Sequence, residues 1–459
     1  MSNIPRKPEK TPTYDPDDPR FWDERDLEKE LRRTFQVCHE CRMCVTYCGS
    51  FPSLLGAVDR DIEAGVAVGA EAVTMLDVAK VTDLCWQCKL CYINCPYTPD
   101  EGSYEELDFP RLMFREKTVR ARRNGIPIVD RVLGEPQLVG KASAGPQAPM
   151  ANLVNANRLV RKVVEKVTGI SAEFPLPASA TETFSTWMKR RPKPSPDAGR
   201  SGTVVLFATC YGDYNYPGVP RAAVRVLEHN GYRVVFPEQT CCGMPNLDGG
   251  DIDAFRNKVA HNVASILPWV EEGAIVVTPG PTCGYTMKKE WPALLRSAEA
   301  SRVAAATMDL MQFLDGLRRE KKLVREFSRG FGKVAYHAPC HLRAQKVGTP
   351  GARLLGLLPD TEVEIVAECS AVDGTWGMKA EYYDLGRRYA QKLVRGIDDA
   401  AAALVVSDCS LAALRIGREN AVEVLHPIEA LALGYGLPLE PALRPGSRSP
   451  SIADSEVIR

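Results

Sequence analysis

Cys38-His-Glu-Cys41-Arg-Met-Cys44-Val-Thr-Tyr-Cys48 and Cys85-Trp-Gln-Cys88-Lys-Leu-Cys91-Tyr-Ile-Asn-Cys95-Pro96 share one spacing, C-x2-C-x2-C-x3-C. Two residues between thiols is a short reach, so three of them can turn toward one point. Structural zinc sites pair C-x2-C knuckles with ligands farther along the chain. Three evenly spaced cysteines plus a fourth, written twice, fit that pattern poorly. A disulfide framework fits worse, because the chain is 459 residues long and its 15 cysteines are an odd number. The runs read as ligands of iron–sulfur clusters, and a protein carrying such clusters moves single electrons.

In two-cluster ferredoxins of this spacing the fourth cysteine lies too far along to close the same cube and ligates the other cluster. That rule assigns one [4Fe–4S] cluster to Cys38, Cys41, Cys44 and Cys95, and a second to Cys85, Cys88, Cys91 and Cys48. Pro96 ends the second run as the pattern expects, whereas Gly49 takes that place in the first. His39 lies between two ligands, either tuning a cluster or serving as an exposed spacer. Tyr47 and Trp86 read as packing that keeps water from the clusters.

The first 20 residues hold five prolines among charges, and residues 1–25 are expected to be disordered. Residues 26–37 predict a helix with Leu27, Leu31 and Phe35 on one face, and residues 70–84 a second helix. Residues 26–108 are therefore expected to form a helical domain carrying both runs. Residues 109–200 read as helical and linker sequence. Two stretches in it, 109–124 and 155–168, are basic and amphipathic. The expectation is that they pack on the first domain with a solvated basic face. The alternative is a surface that docks on a membrane or on a partner protein. Residues 191–196, Arg-Pro-Lys-Pro-Ser-Pro, read as a linker.

From residue 201 the pattern changes to alternating strands and helices. Strands predicted at 203–209, 232–236 and 274–278 lead to Cys210, to Cys241-Cys242-Gly243 and to Cys283. The order repeats: 333–337 leads to Cys340, 361–366 to Cys369 and 403–407 to Cys409. Matching cysteines are 130, 128 and 126 residues apart. Order kept at a near-constant offset marks an internal duplication. The halves are placed at 201–325 and 326–440, with 441–459 as a disordered tail. In both halves the cysteines fall at the carboxyl ends of strands, where α/β sheets hold ligands.

Cys241-Cys242-Gly243, with Cys210 before it and Cys283 after it, resembles the CCG cysteine-rich domain family, whose motif usually occurs twice. The family includes iron–sulfur subunits of heterodisulfide reductases, glycolate oxidases, lactate-utilisation systems and anaerobic glycerol-3-phosphate dehydrogenases. Two cysteine runs followed by two such domains is similar to the layout of the iron–sulfur subunit in the last group. The resemblance covers about residues 30–440 and implies a multidomain chain: an α-helical 2x[4Fe-4S] ferredoxin domain followed by a duplicated α/β cysteine-rich (CCG) domain. It also implies an electron-transfer subunit of a flavoprotein dehydrogenase, relaying toward a quinone or other redox acceptor. The alternative it carries is a thiol–disulfide reductase acting at a CCG-domain cluster. The sequence departs from the pattern. Gly280 stands where the first Cys of the terminal C-x-x-C would fall. Ser370 and Ala371 replace the second Cys and the Gly of the second CCG, and Ala412 replaces the last Cys. Cys210, Cys241, Cys242 and Cys283 still suffice for a further cluster. The second half, with Cys340, Cys369 and Cys409, is expected to be kept for its fold, the alternative being a fourth ligand from His337, His341 or Ser370.

Basic and acidic residues balance at 58 each, which argues against nucleic acid as a partner. No phosphate loop, dinucleotide fingerprint or Ser–His–Asp signature occurs, so a flavin is expected on a partner. No stretch approaches the roughly 18 apolar residues of a membrane span. The first residues lack the apolar core of a signal peptide. A cytoplasmic location is expected, with peripheral membrane contact as a further option.

Overall fold

A computed structural model describes residues 3–192 and 198–439. The chain divides into two compact units. One takes the chain up to Arg131 together with the excursion Pro245–Ala254. The other takes Val132–Met244 and the chain from Phe255 onward.

The first unit is helical, with no strand among its described residues. Helix α1 (Glu24–Cys41) starts where the Asp23 carboxylate accepts the backbone N–H groups of Arg25 and Asp26. Leu27, Leu31 and Phe35 recur at helical spacing and are buried, each contributing about 1.5–3 kcal/mol. The predicted helix at 70–84 divides into a 3-10 turn (Ala70–Ala72) and α3 (Met75–Asp83), because Thr74 and Asp77 form a capping box that begins a new helix. Helix α2 (Ser50–Glu63) was not read from the sequence. Helix α4 (Phe109–Asn124) buries Phe109, which stacks on Phe51 at 4.7 Å. Its basic residues are largely paired rather than solvated. Arg115 is fully buried, its Nε donating to Phe21 O at 2.8 Å and its Nη2 to Asp26 at 2.8 Å. Arg120 Nη1 reaches Asp83 at 3.0 Å.

The expected disorder of residues 1–25 does not hold for the described part. Phe21 is fully buried in a short turn (Pro19–Trp22), and Arg6 Nε donates to Glu105 at 3.1 Å. Several of the charges that suggested disorder have partners, Arg6 with Glu105 and Glu9 with Lys29 among them, which composition alone does not reveal. The tail at 441–459 and linker residues 193–197 lie outside the described residues.

The second unit opens with three helices, α5 (Pro136–Ser143), α6 (Ala148–Ala156) and α7 (Arg158–Thr168). The stretch at 155–168 is not one helix. Asn157 caps α7 by accepting the N–H groups of Leu159 and Val160.

Two four-stranded sheets follow, every pairing parallel. The first holds β1 (Thr203–Leu206), β2 (Arg233–Val235), β3 (Ile275–Thr278) and β4 (Thr307–Asp309) in the order β2-β1-β3-β4. The second holds β5 (Gly332–His337), β6 (Thr361–Val366), β7 (Leu404–Ser407) and β8 (Val424–Leu425) in the order β6-β5-β7-β8. The strand permutation is identical, so the duplication extends to topology. Strands β4 and β8 were not read, because three- and two-residue strands show no alternation. Central strands are valine-rich and buried, as parallel strands covered on both faces must be. Side chains of both halves, Val204 and Leu206 with Tyr336 and Val406 among them, share one core.

Two tight turns present the cysteines. Gly243 sits at φ 93°, and a Cβ there would lie 2.5 Å from the Phe255 ring. Ala371, its counterpart in the second half, adopts φ 48°. The left-handed turn persists although the glycine does not. Two buried histidines brace the loops. His337 Nδ1 meets Ser407 Oγ at 2.8 Å and its Nε2 meets Glu368 O at 3.1 Å, tying the ends of β5, β6 and β7 together. His426 Nε2 donates to Pro279 O at 2.9 Å, joining the second half to the end of β3. Burial pulls both imidazoles down to about 4, so they work as neutral struts.

Gly243→Ala is expected to lower stability by about 1–3 kcal/mol, and Ala371→Gly to raise it by about 0.5–1 kcal/mol, in chemical unfolding. Between pH 6.5 and about 4 the unfolded histidines take up protons that the folded ones refuse. The His337 contribution is thus complete above pH 6.5 and falls as pH drops, by about 2 kcal/mol at about pH 5. The difference in unfolding free energy between wild type and His337→Gln, followed over this range, measures it.

Candidate functional site

In each run the residue after the second cysteine is left-handed: Arg42 at φ 55° and Lys89 at φ 64°, with Gln87 also at 50°. Non-glycine residues rarely hold this conformation, and such strain clusters at functional sites. Here it turns the chain back so that successive thiols face inward.

The eight cysteines separate into two sets. Burial pushes the Cys38 thiol up, and Cys44, Cys95 and Cys41 push it further. Cys44 is pushed up to about 12 by burial and then by Cys95 and Cys41. Cys91 is raised by burial and by Cys88, Cys85 and Cys48. Cys48 is pushed up to about 12 by burial and Cys85. Thiols affect one another this way only when close, so the last cysteine of each run lies with the other run. Cys91 also feels Cys44, so the sets adjoin. No group of three or more His, Cys, Asp or Glu among the described residues is gathered as a single metal ion would require. A cubane spreads its four ligands over four irons, so it asks for a wider cage than one ion does.

The sets differ in exposure. Cys48, Cys85, Cys88 and Cys91 are buried and line one cavity with Tyr47, Trp86, Phe109 and Lys89. Gln87 Nε2 donates to Cys85 Sγ at 3.4 Å, and Lys89 Nζ to Gln87 Oε1 at 2.8 Å. A buried lysine and an N–H···S bond are what a negatively charged thiolate cage needs. The sequence shows where Lys89 stands, but not that it is buried. Cys38, Cys41, Cys44 and Cys95 are half-exposed, and Met43 and Val45 beside them are exposed. His39 Nε2 lies 3.0 Å from Asp59 Oδ1, which gives that ring a carboxylate partner.

In the second unit the cysteines cap the carboxyl ends of β1, β2 and β3. Cys210, Cys241, Cys242 and Cys283 form one chain of contacts. Hydrogen bonds from the Cys210 and Cys242 thiols hold Cys241 well below the usual thiol range, with help from the Gly243 N–H and Lys258. Cys210 and Cys242 are correspondingly raised. Three side chains fix this loop. Asn262 Nδ2 donates to Cys241 O at 3.1 Å, Trp291 Nε1 to Cys242 O at 2.9 Å, and Gln239 Oε1 accepts Ala208 N–H at 2.8 Å. None was singled out in the sequence, because amide and indole residues carry no ligand signature. Gly280 stands with its Cβ direction 3.7 Å from Cys283 Sγ, so the place of the missing thiol faces the site.

Cys340, Cys369 and Cys409 also come together, Cys340 being raised by burial and by the other two. Cys369 Sγ accepts the Ala371 N–H at 3.3 Å. Cys409 feels Cys283 of the first half. His337 has both ring nitrogens engaged, so it is not free to supply a fourth ligand. His341 instead bridges the halves, its Nδ1 3.0 Å from Thr282 Oγ1 and its ring stacked on Tyr285 at 5.3 Å.

The CCG cysteine-rich domain family matches residues 204–288 and 334–416. The C subunit of anaerobic glycerol-3-phosphate dehydrogenase from Escherichia coli (strain K12) is 29% identical over 307 residues, 66% of this chain and 76% of that protein. Lactate utilization protein A of Geobacillus kaustophilus is 30% identical over 245 residues, 50% of this chain and 98% of that protein. The same-named protein of Anoxybacillus flavithermus is 28% identical over 245 residues, again 50% of this chain and 98% of that protein. With two copies of the motif, two sheets of one permutation and cysteines at the matching strand ends, the chain belongs to the CCG cysteine-rich domain family.

Proposed function

We propose that this chain is an iron–sulfur electron-transfer subunit, relaying single electrons between a flavoprotein dehydrogenase partner and a quinone or other redox acceptor. The observation that carries this reading is the crossed grouping of eight buried or half-buried thiols into two sets of four. Cys38, Cys41, Cys44 and Cys95 are the ligands of one [4Fe–4S] cluster, and Cys85, Cys88, Cys91 and Cys48 those of the other. Bound there, each cluster supplies reversible one-electron chemistry. The similarity to a protein named as one subunit of a dehydrogenase supports the flavoprotein partner. Among the described residues no helix is long and apolar enough to cross a membrane. The reading takes in a cytoplasmic location, where thiols stay reduced.

The two sets divide the work. The half-exposed set, with Met43 and Val45 at its edge, is where an outside protein meets the relay. The buried set is the inner station. Lys89 holds a positive charge beside it, favouring the more negative, reduced state.

A second reading, thiol–disulfide reduction at a cluster in the cysteine-rich domains, is supported by the gathering of four cysteines at the strand ends of the first half. Cys210, Cys241, Cys242 and Cys283 would then hold a further cluster.

Anaerobically purified protein is expected to carry about eight irons, or about twelve with that further set loaded. Fewer than about four irons per chain would sink the relay. A water-soluble paramagnetic relaxant should quicken relaxation of one reduced cluster's EPR signal and leave the other nearly untouched. Cys95→Ala is expected to remove the relaxant-sensitive signal and Cys48→Ala the insensitive one; uncrossed ligation gives the reverse. Lys89→Met should lower the midpoint of the insensitive cluster by tens of millivolts. Disulfide reduction by viologen-reduced protein, lost in Cys241→Ser, would favour the second reading.

A further inference from the structure

Helix α7 stands inside out. Leu159, Val163 and Val167, at i, i+4 and i+8, are exposed, while Arg161 is 6% exposed. The sequence-based expectation that this stretch buries its apolar face does not hold. The opposite side of the helix carries Arg158, Arg161 and Lys162, at i, i+3 and i+4, and these three line a cleft.

The cleft measures about 340 Å³, the size of a small-molecule site. Its charged lining is Arg158, Arg161, Lys162 and Arg418 against one acid, Glu173. Arg418 comes from the helix Ser410–Glu419, in the second half of the duplication. The exposed cations have no answering carboxylate: no described residue makes an ion pair or hydrogen bond with the side chain of Arg158, Lys162 or Arg418. Acids close by in the sequence are engaged elsewhere. Glu165 accepts the Ala172 N–H at 2.6 Å, and Glu419 accepts Arg387 Nε at 3.0 Å. Exposed arginines in other parts of the chain do find acids, Arg60 with Asp77 and Arg302 with Glu271 among them. Arg158 and Lys162 are like charges one helical turn apart, a pairing that costs stability unless an anion joins it.

Arg161 sets the polarity of the floor. Its Nη1 donates to Asn155 Oδ1 at 2.7 Å, and its Nη2 to Phe174 O at 2.9 Å and Ser171 O at 2.5 Å. A guanidinium only donates, so the oxygen of Asn155 is the atom turned to Arg161, and its Nδ2 is left as a donor at the cleft. Arg161 Nε is buried and has no hydrogen-bond partner. Every bond of this buried cation goes to a neutral acceptor, so its charge is not cancelled by a bonded carboxylate. Helix α7 also starts at the cleft with no acid in its first turn, which adds the positive end of the helix dipole.

We propose that this cleft binds a small phosphate monoester, its phosphate dianion taken by Arg158, Lys162, Arg418 and Asn155 Nδ2. Arg161 lies beneath as a fixed charge and touches no ligand atom. Donors dominate the lining, which selects a ligand made of acceptors. Four cations against one acid leave a surplus of positive charge that a single negative charge does not meet. A monoester carries close to two negative charges and three terminal oxygens above its second pKa of about 6. A carboxylate offers one charge and two oxygens, and a phosphodiester one charge. The bound ligand joins α7 to the second half, because its donors come from both.

The test is calorimetric titration of the full chain with methyl phosphate and with dimethyl phosphate at about pH 8 and low salt. Methyl phosphate is expected to bind saturably, less tightly as salt rises, and dimethyl phosphate at least about tenfold more weakly. Arg418→Ala and Lys162→Ala each remove an exposed side chain without a partner. Circular dichroism should therefore be unchanged while methyl phosphate binding falls at least about tenfold. Arg395→Ala, which removes an exposed cation outside the cleft, should bind like wild type. The proposal is overturned if methyl phosphate shows no saturable binding, or if dimethyl phosphate binds equally well. It is overturned equally if Arg418→Ala and Lys162→Ala bind like wild type. Iron measured on the same samples reads the electron relay separately, so either inference can fail alone.

Discussion

Thiols brought together out of water resist ionising, and each makes its neighbour's ionisation harder. The raised Cys38, Cys44, Cys91 and Cys340 all show this, with burial the leading cause and other cysteines the next. A raised thiol stays neutral and packs as a small apolar group, so what the surrounding chain supplies is position. Much of the local structure does that: left-handed Arg42 and Lys89, the capped helices α1 and α3 that enter the runs, and the Asn262, Trp291 and Gln239 bonds around Cys241. A positive charge beside the buried set, as a protonated Lys89 supplies, favours the thiolate form that burial disfavours.

The duplicated unit shows how one scaffold tolerates two fates. Both sheets have the same strand permutation, and both send cysteines from the carboxyl ends of their first three strands. The first half keeps four thiols in contact and a glycine at the tight turn. The second half keeps the turn at Ala371 without glycine, three thiols, and a histidine strut that uses both its nitrogens. Backbone geometry is kept where the motif residues differ. Packing explains this, because both halves contribute to one core and the loss of either would expose it.

Exposure organises the functional reading. The same eight-cysteine pattern yields one set half-buried and one set buried, so a relay built on them would have an outer and an inner station. The outward row of α7 is exposure of another kind. Its apolar residues are not spare core, because the cation on the opposite side of the helix is the residue that the fold buries.

The sequence by itself determined the repeating cysteine spacing, the helical character of the first region, the α/β duplication and the strands that lead to Cys210, Cys241, Cys283 and their counterparts. These follow from local patterns: fixed intervals between ligands, Leu27, Leu31 and Phe35 at helical spacing, and valine-rich strands before each cysteine. Tertiary structure alone decided the rest. It buried Lys89, ordered the arm through Phe21 and Arg6, and made His337 a strut. It also turned α7 outward. A periodic pattern shows that a helix has an apolar face but not what that face meets, because hydrophobic burial is non-directional and the choice between core and surface is made by every other element at once.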